Sequence, residues 1–229
     1  GLGDVYKRQM DERIFYMNMC IKERLSKREL ERQIDSGYYE RYMLSQNPQS
    51  LALETAKKAT GNIFLDNYVL DFLDVPDPMS EHDLQKSIIR NLKDFILEIG
   101  KDFTFVGEEY RVQVGNHDFF IDLLFYHRGL SCLVAFELKI GEFKPEYVGQ
   151  INLYLEALDR EVKKENENPS VGIILCASKD DEVVEFALSR SLSPTMVAEY
   201  NLKLIDKKLL QKKLKEYIEL AKLTEDENA

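Results

Sequence analysis

The chain has 229 residues, of which 44% are hydrophobic and 31% charged, and its net charge at pH 7 is −10. This length and composition fit one globular domain of ordinary size with an appendage and a sizeable apolar core. No apolar run approaches the roughly 20 residues that a membrane-spanning helix needs, and no signal-peptide pattern is present, so we expect no membrane protein and no membrane partner.

Three cysteines and three histidines are spread along the chain without the spacing of metal ligands. Cys20, Cys132 and Cys176 stand in apolar surroundings, and an odd number of widely spaced cysteines is typical of reduced core thiols. We therefore expect a cytoplasmic protein with neither a disulfide framework nor a zinc site.

The acidity is unevenly distributed along the chain. The first 60 residues hold 11 Lys and Arg against 9 Asp and Glu, so the remainder carries all of the net negative charge. Taken alone, an acidic body argues against a nucleic-acid partner. Two interpretations stay open: a solubilising surface, or carboxylates held together for a divalent cation.

The predicted elements begin after residues 1–9, "GLGDVYKRQ", which fit no element and resemble a translated sequencing adapter; we expect the natural chain to continue upstream. Residues 10–60 have a polar, helical pattern, and Ser26 with Glu29 forms a capping box that starts a second helix. A further short helix is expected over 50–59. Residues 61–79 are predicted to be a linker, because they hold Gly61, Asn62, Asn67, Pro76 and Pro78.

The predicted core domain covers residues 80–205, and 206–229 form a C-terminal helix and tail. Its first helix is capped by Ser80 and ended by Gly100. The mixture of hairpin strands and later alternating helices and strands predicts an α/β sandwich with a sheet of mixed direction. The segments that follow Gly100 are, in order, the strands "FTFV", "EYRVQV", "FFIDLLFYH" and "LSCLVAFELKI", a helix from Pro145 to about Val162, the strand "SVGIILCA", the helix "DEVVEFALSR" and the strand "TMVAEYNL".

Two carboxylates and a lysine are predicted to meet on one face of this sheet. Glu137 and Lys139 lie within an apolar strand, where a charge is costly unless it is paired or liganded. If the hairpin turn centres between Gly129 and Leu130, Asp122 lies opposite Glu137 with Cβ atoms about 5 Å apart. Lys139 shares their face because side chains alternate along a strand.

Such a pair of carboxylates suits a hard divalent cation. Mg²⁺ accepts one or two carboxylates and leaves room for phosphate oxygens. A nearby lysine can orient or deprotonate a metal-bound water, or stabilise charge developing on phosphorus. On the next helix, Gln150 and Tyr154 share one face and can support the lysine or a phosphate. These residues predict phosphodiester hydrolysis. The alternatives are a structural ion pair and an ordinary polar helix surface.

The same residues carry a resemblance to a known family. Asp122, the phrase Glu137-Leu138-Lys139 and the phrase from Gln150 to Tyr154 resemble the PD-(D/E)xK nuclease superfamily. The longer phrases "IDLLFYHRGLSCLVAFELKIGEFKPEYVGQINLYL" and "NPSVGIILCASKDDEVVEFAL" are similar to the YhcG-type bacterial nuclease family, over roughly residues 70–202. The phrase "RIFYMNMCIKERLSKRELERQI" resembles the end of that family's N-terminal helical domain, a winged-helix-like DNA-binding module.

The resemblance implies a restriction-endonuclease-like core, an αβββαβ mixed sheet flanked by helices, with an N-terminal helical fragment. It implies cleavage of DNA that depends on Mg²⁺, with Mn²⁺ as a substitute. It also implies that Asp122, Glu137 and the Leu138 carbonyl bind the metal, that Lys139 is catalytic and that Gln150 supports it.

Two features depart from the family's pattern. No proline precedes Asp122. On the first core helix, where many members carry an acidic residue, Asp83 and Leu84 are followed by Gln85, and Glu81, one turn earlier, is the candidate substitute. Supporting roles are therefore predicted for Glu81 and Gln85, and the presence of a second metal site is left open.

The leading hypothesis is a Mg²⁺-dependent DNA endonuclease in a defence, repair or mobile-element context. The alternatives are a nucleic-acid-binding module that has lost catalysis and a protein-interaction partner of restriction or toxin machinery. A homodimer and partner proteins of a restriction or mobile-element system are the candidate assemblies. The candidate DNA contacts in the N-terminal segment are Arg24, Lys27, Arg28 and Arg32.

Overall fold

The computed structural model describes residues 2–46, 63–191 and 193–227. Contacts within the chain divide it into two compact units, Gly1–Asn47 with Lys203–Ala229, and Pro48–Leu202. The end of the chain thus groups with the N-terminal helices, whereas the sequence prediction set 206–229 apart from 10–60. In the described part of the chain, no helix is long and apolar enough to cross a membrane.

The larger unit contains both helices and strands, whereas the described elements of the smaller unit are all helices. In chain order they are α1 (Leu2–Glu23), α2 (Lys27–Asp35), α3 (Tyr38–Ser45), β1 (Asn67–Val69), α4 (Glu81–Arg90), α5 (Leu92–Ile99), β2 (Phe103–Val114), β3 (His117–His127), β4 (Cys132–Leu138), α6 (Glu146–Glu161), β5 (Val171–Cys176), α7 (Asp181–Leu188), β6 (Thr195–Asn201) and α8 (Lys207–Glu227).

The helical unit joins α1, α2, α3 and α8. Leu214 of α8 is buried with Tyr16 and Tyr39, which explains why the C-terminal helix belongs to this unit. The predicted capping box of α2 is confirmed, since the Ser26 N–H donates to Glu29 Oε2 at 2.7 Å and the Ser26 side chain accepts from the Glu29 N–H.

The start of the chain differs from the prediction. Residues 2–9 lie within α1, so the expectation that they fit no element is wrong for them. The physical reason is that extending an existing helix costs far less than nucleating one, and this stretch contains no proline. The helix expected over 50–59 lies outside the described residues.

The larger unit is built on a six-stranded mixed sheet of order β1-β6-β5-β4-β3-β2. The pairs β2/β3 and β3/β4 are antiparallel, whereas β4/β5, β5/β6 and β1/β6 are parallel. The order α4–α5, β2, β3, β4, α6, β5 is the expected αβββαβ core. Helix α6 packs on one face through Ile151, Leu155 and Leu158, which contact Ala135 and Ile174 in one buried cluster.

Three differences from the predicted elements affect the site's surroundings. Strand β1 lies inside the predicted linker 61–79 and pairs with β6, so this part of the linker belongs to the sheet. The single predicted helix is two helices, α4 and α5, because the backbone breaks at Asn91, with φ −111° and ψ 30°. Strand β4 ends at Leu138 instead of continuing to Ile140, which is 41% exposed.

The register of the β3–β4 hairpin agrees with the prediction. Leu123 pairs with Phe136 and His127 with Cys132, so continuing this register by one residue puts Asp122 opposite Glu137. The turn is closed by the buried His127, whose Nδ1 accepts from the Leu130 N–H at 3.0 Å.

Gly172 allows α6 to approach β5 closely, and its replacement by alanine is expected to destabilise the protein by about 1–3 kcal/mol. An added Cβ would lie 2.6 Å from Ile151 Cγ1 and 3.2 Å from Leu155 Cδ1. Chemical denaturation measures the effect. The control is Gly149→Ala on α6, where a Cβ meets nothing within 4 Å; because alanine favours a helix over glycine, it should stabilise by about 0.5–1 kcal/mol. A neutral G172A variant would contradict the expectation.

Candidate active site

The predicted site residues meet at the end of the β3–β4 hairpin, on the face of the sheet that α6 covers. Glu137 pairs in register with Ile174, which contacts α6, and residues that pair in register share a face. Asp122 and Lys139 lie on this face beside Glu137, as their contacts show. The sequence prediction that these three residues lie together therefore agrees with the structure.

Asp122 is held by its neighbours on two sides. Its Oδ2 accepts the Leu138 N–H at 2.7 Å, and its backbone carbonyl accepts Gln85 Nε2 at 2.8 Å. Burial raises the pKa of Asp122, although the Leu138 hydrogen bond and the charge of Lys139 act in the opposite direction. The carboxylate is thus fixed in orientation but poorly compensated in charge.

Glu137 is the most deeply buried acid of the site, at 2% exposure. Its Oε1 lies 2.8 Å from Lys139 Nζ, whereas its Oε2 is buried without a hydrogen-bond partner among the described residues. Burial, and then the charge of Asp122, raise its pKa to about 7, and Lys139 offsets only part of this. A buried carboxylate oxygen without a partner is costly, so a cation bound at this oxygen would stabilise the site.

Lys139 lies among two carboxylates and an aromatic ring. Its Nζ is 2.8 Å from Glu137 Oε1, 3.2 Å from Glu81 Oε2 and 5.1 Å from the centroid of the Tyr147 ring. Burial acts to lower the pKa of Lys139, but the hydrogen bonds and charges of the two carboxylates outweigh it and raise the pKa. The ammonium group is therefore charged and fixed in position.

Gln150 and Tyr154 share a face of α6, as predicted, and bond to each other. Gln150 Nε2 donates to the Tyr154 hydroxyl at 2.7 Å, and burial raises the pKa of that hydroxyl. Within the described residues, neither side chain hydrogen-bonds Lys139, so support of the lysine by this pair is absent from this conformation. Besides Glu137, the side chains of Glu81 and Tyr147 contact Lys139. The sequence prediction missed Tyr147, because it belongs to no motif.

The donor set fits a hard divalent cation in part. Among the residues that the structure describes, no group of three or more His, Cys, Asp and Glu side chains is arranged to hold a metal. Two carboxylates do meet, however, and one has a buried oxygen without a partner. Mg²⁺ commonly binds through one or two carboxylates together with water and phosphate oxygens, so Asp122 and Glu137 would hold it.

Gln85 and Glu81, both on α4, have separate contacts. Gln85 is 5% exposed and donates to the Asp122 carbonyl, while Glu81 pairs with Lys139.

The candidate DNA contacts lie in the other unit, at the junction of α1 and α2. There Arg24, Lys27 and Arg28 are exposed and Arg32 is half-buried.

Replacing Gln85 by leucine is expected to destabilise the protein by about 1–3 kcal/mol, because the Asp122 carbonyl loses a buried donor. Urea denaturation measures the change in the free energy of unfolding. Gln113→Leu is the matched control, since Gln113 is exposed on β2 and should change stability by about 0.5 kcal/mol or less. Equal effects of the two substitutions would show that the Gln85 hydrogen bond adds nothing.

The αβββαβ order, with two carboxylates and a lysine at the end of its hairpin, defines an α/β domain of the restriction-endonuclease-like class. Residues 61–215 match the family model of the YhcG PDDEXK nuclease domain, and the chain belongs to this family.

The chain is 36% identical over 208 residues to "Putative nuclease YhcG" of Escherichia coli (strain K12), across 89% of this chain and 56% of that protein. It thus spans little more than half the length of this relative. Among solved structures it is similar to a repair endonuclease from Pyrococcus abyssi, with TM-score 0.37 and 17% identity over 55% of this chain and 48% of that chain. It is also similar to an EndoMS–dsDNA complex, with TM-score 0.35 and 19% identity over 53% and 43%. At such TM-scores these likenesses add nothing to the assignment.

Proposed function

We propose that this protein is an endonuclease that hydrolyses phosphodiester bonds of DNA and depends on Mg²⁺, for which Mn²⁺ can substitute. The observation that carries the proposal is the meeting of Asp122, Glu137 and Lys139, with an unpartnered carboxylate oxygen in the same site. Membership of the PDDEXK nuclease family supports it. We further propose a cytoplasmic enzyme in a defence, repair or mobile-element context, acting as a homodimer or with partner proteins.

Each side chain has a role in this proposal. Asp122 and Glu137 would hold the metal ion, which when bound would supply Lewis-acid stabilisation of phosphate oxygens and lower the pKa of water. Lys139 places its charge beside the scissile phosphate and stabilises the negative charge that develops there. The Leu138 N–H keeps Asp122 in its orientation. The Leu138 carbonyl is proposed as a further metal ligand, and the pair of Gln150 and Tyr154 as a contact for phosphate.

Binding of DNA needs positive charge, whereas Asp and Glu outnumber Lys and Arg in the larger unit. We assign the initial contact with the phosphate backbone to the basic residues at the junction of α1 and α2, three of which are exposed. Such contacts act without regard to base sequence and weaken as salt concentration rises. The residues in question are Arg24, Lys27, Arg28 and Arg32.

The test is incubation of the pure protein with supercoiled plasmid and Mg²⁺ or Mn²⁺. Nicking is expected for the wild type, with a loss of at least about 100-fold in Lys139→Met, because a charge at the reacting phosphate is removed. Lys144→Met is the matched control, since Lys144 is exposed in the loop after β4, and it should cleave normally. Nicking that persists in K139M, or is absent with both metals, would overturn the proposal.

A second candidate is a nucleic-acid-binding module without catalysis. It is favoured by Gln85, an amide where many family members carry an acid, because fewer carboxylates remain to bind metal. Salt-dependent DNA binding without cleavage in either metal would support it. Cleavage that is lost in K139M would exclude it.

A further inference from the structure

Lys139 has two carboxylate partners, and only one of them is expected to bind the metal. Nζ lies 2.8 Å from Glu137 Oε1 and 3.2 Å from Glu81 Oε2. Glu137 is almost fully buried beside Asp122, whereas the Glu81 side chain is 46% exposed and comes from the first turn of α4. The lysine thus joins the buried acid pair to a carboxylate at the rim of the site.

We infer that Glu81 is a positioning residue, which keeps Lys139 in place when Glu137 binds a metal ion. We also infer that Glu81 is not a third metal ligand. This inference rests on the proposed function. A divalent cation between Asp122 and Glu137 would neutralise the acid that Lys139 now contacts at the shorter distance. The ammonium group would then be repelled by the ion, and Glu81 is the carboxylate that remains to hold it.

The placement of Glu81 supports this role. Ser80 caps α4 through a reciprocal capping box with Asp83, so the carboxylate of Glu81 is not used for capping and reaches Lys139. The helix therefore presents Glu81 from a fixed first turn. Because its partner is 58 residues further along the chain, the contact also ties α4 to the end of β4.

Two observations argue against Glu81 as a metal ligand. In the described part of the chain, no three acidic side chains are gathered in a geometry that could hold an ion. Glu81 Oε2 accepts a hydrogen bond from the ammonium group of Lys139 at 3.2 Å. Helix α4 contributes to the acid pair through an amide instead, because Gln85 donates to the Asp122 carbonyl at 2.8 Å.

The first test measures Mg²⁺ binding by calorimetry, which does not need cleavage. Glu81→Gln should bind Mg²⁺ within about threefold of wild-type affinity, because Glu81 would act on the ion's ligands only through Lys139. Loss of a direct carboxylate ligand should instead weaken binding at least about tenfold, or roughly 1.4 kcal/mol. Glu142→Gln is the matched control, since Glu142 is exposed in the loop after β4 and should bind normally. A loss of tenfold or more in E81Q, with E142Q unaffected, would overturn the inference.

The second test observes Lys139 directly, by ¹H–¹⁵N spectra selective for lysine ammonium groups. The signal of Lys139, identified by its absence in Lys139→Arg, should persist when Mg²⁺ is added to the wild type and to E142Q. It should disappear in E81Q with Mg²⁺ and return in Glu81→Asp, which restores the carboxylate. A signal that survives Mg²⁺ in E81Q would overturn the inference.

Cleavage kinetics complete the experiment. At saturating Mg²⁺ and DNA, E81Q should lower the single-turnover rate at least about tenfold, because the misplaced lysine acts in the transition state. The protein concentration that gives half of the maximal rate should change little. An unchanged rate in E81Q would overturn the role of Glu81. Absence of cleavage in every protein, including the wild type, would instead overturn the proposed function, while calorimetry and spectra would still decide the position of Lys139.

Discussion

Replacing Asp122 by asparagine is expected to abolish metal-dependent DNA cleavage while leaving the protein folded and at least as stable as before. An asparagine oxygen can still accept the Leu138 N–H, which Asp122 Oδ2 now accepts at 2.7 Å. The substitution removes the negative charge of Asp122, which helps to raise the pKa of the neighbouring Glu137. We expect a loss of at least about 10³-fold in the nicking rate, because the charge that holds the cation is halved.

Asp118→Asn is the matched control for this prediction. It makes the same chemical change on the same strand, but at an exposed side chain that pairs with Arg111 at 2.8 Å. Plasmid nicking and thermal unfolding in EDTA are the two measurements. The expected pattern is an inactive, stable D122N and an active D118N. A D122N variant that retains more than about a tenth of the wild-type rate would contradict the assigned role of Asp122.

The metal-free protein is expected to lose stability as pH rises from about 4.5 to about 7. Burial and the charge of Asp122 raise the pKa of Glu137 from 4.5 to about 7 in the folded state. Between these values the folded protein keeps a proton that the unfolded chain has released. The free energy of unfolding therefore falls across this interval and levels off above it. The full effect of this one group is about 3 kcal/mol.

Urea denaturation in EDTA at pH values from 4.5 to 8.5 measures this effect, and Glu137→Gln isolates it. The fall in stability should be largely absent in E137Q and fully present in E142Q. Added Mg²⁺ should stabilise the wild type strongly at pH 8 and weakly at pH 5, because the ion binds the deprotonated carboxylates. Identical pH profiles for the wild type and E137Q would contradict the raised pKa of Glu137.

The hairpin and its site were predictable because the signals that determine them are local. A turn between two apolar runs fixes the register of β3 on β4, and alternation along each strand then determines the face on which Asp122 and Glu137 lie. The capping box at Ser26 and the N-cap at Ser80 are likewise determined by a few neighbouring residues. A catalytic role for Lys139 was predicted from the residues themselves, and the family resemblance implied the same role.

The contacts that the sequence did not reveal are non-local. Strand β1 has three residues, too few for a periodic pattern. It is a strand only because it pairs with β6, where Asn67 lies opposite Glu199, 132 residues further along the chain. The pairing of Glu81 with Lys139 spans 58 residues. Tyr147, which lies beside Lys139, belongs to no motif and is placed by the packing of α6.

Five strand residues separate the turn at residues 128–131 from Asp122 on one side and from Glu137 on the other. The length of the turn nevertheless restricts which insertions and deletions the gene tolerates. Single substitutions there leave the number of residues unaltered. A single-codon insertion or deletion, by contrast, would offset one strand against the other and send Asp122 to the side of the sheet away from Glu137, unless a bulge absorbed the extra residue. Among natural variants of this domain, length differences at this turn should therefore be rare or come in pairs.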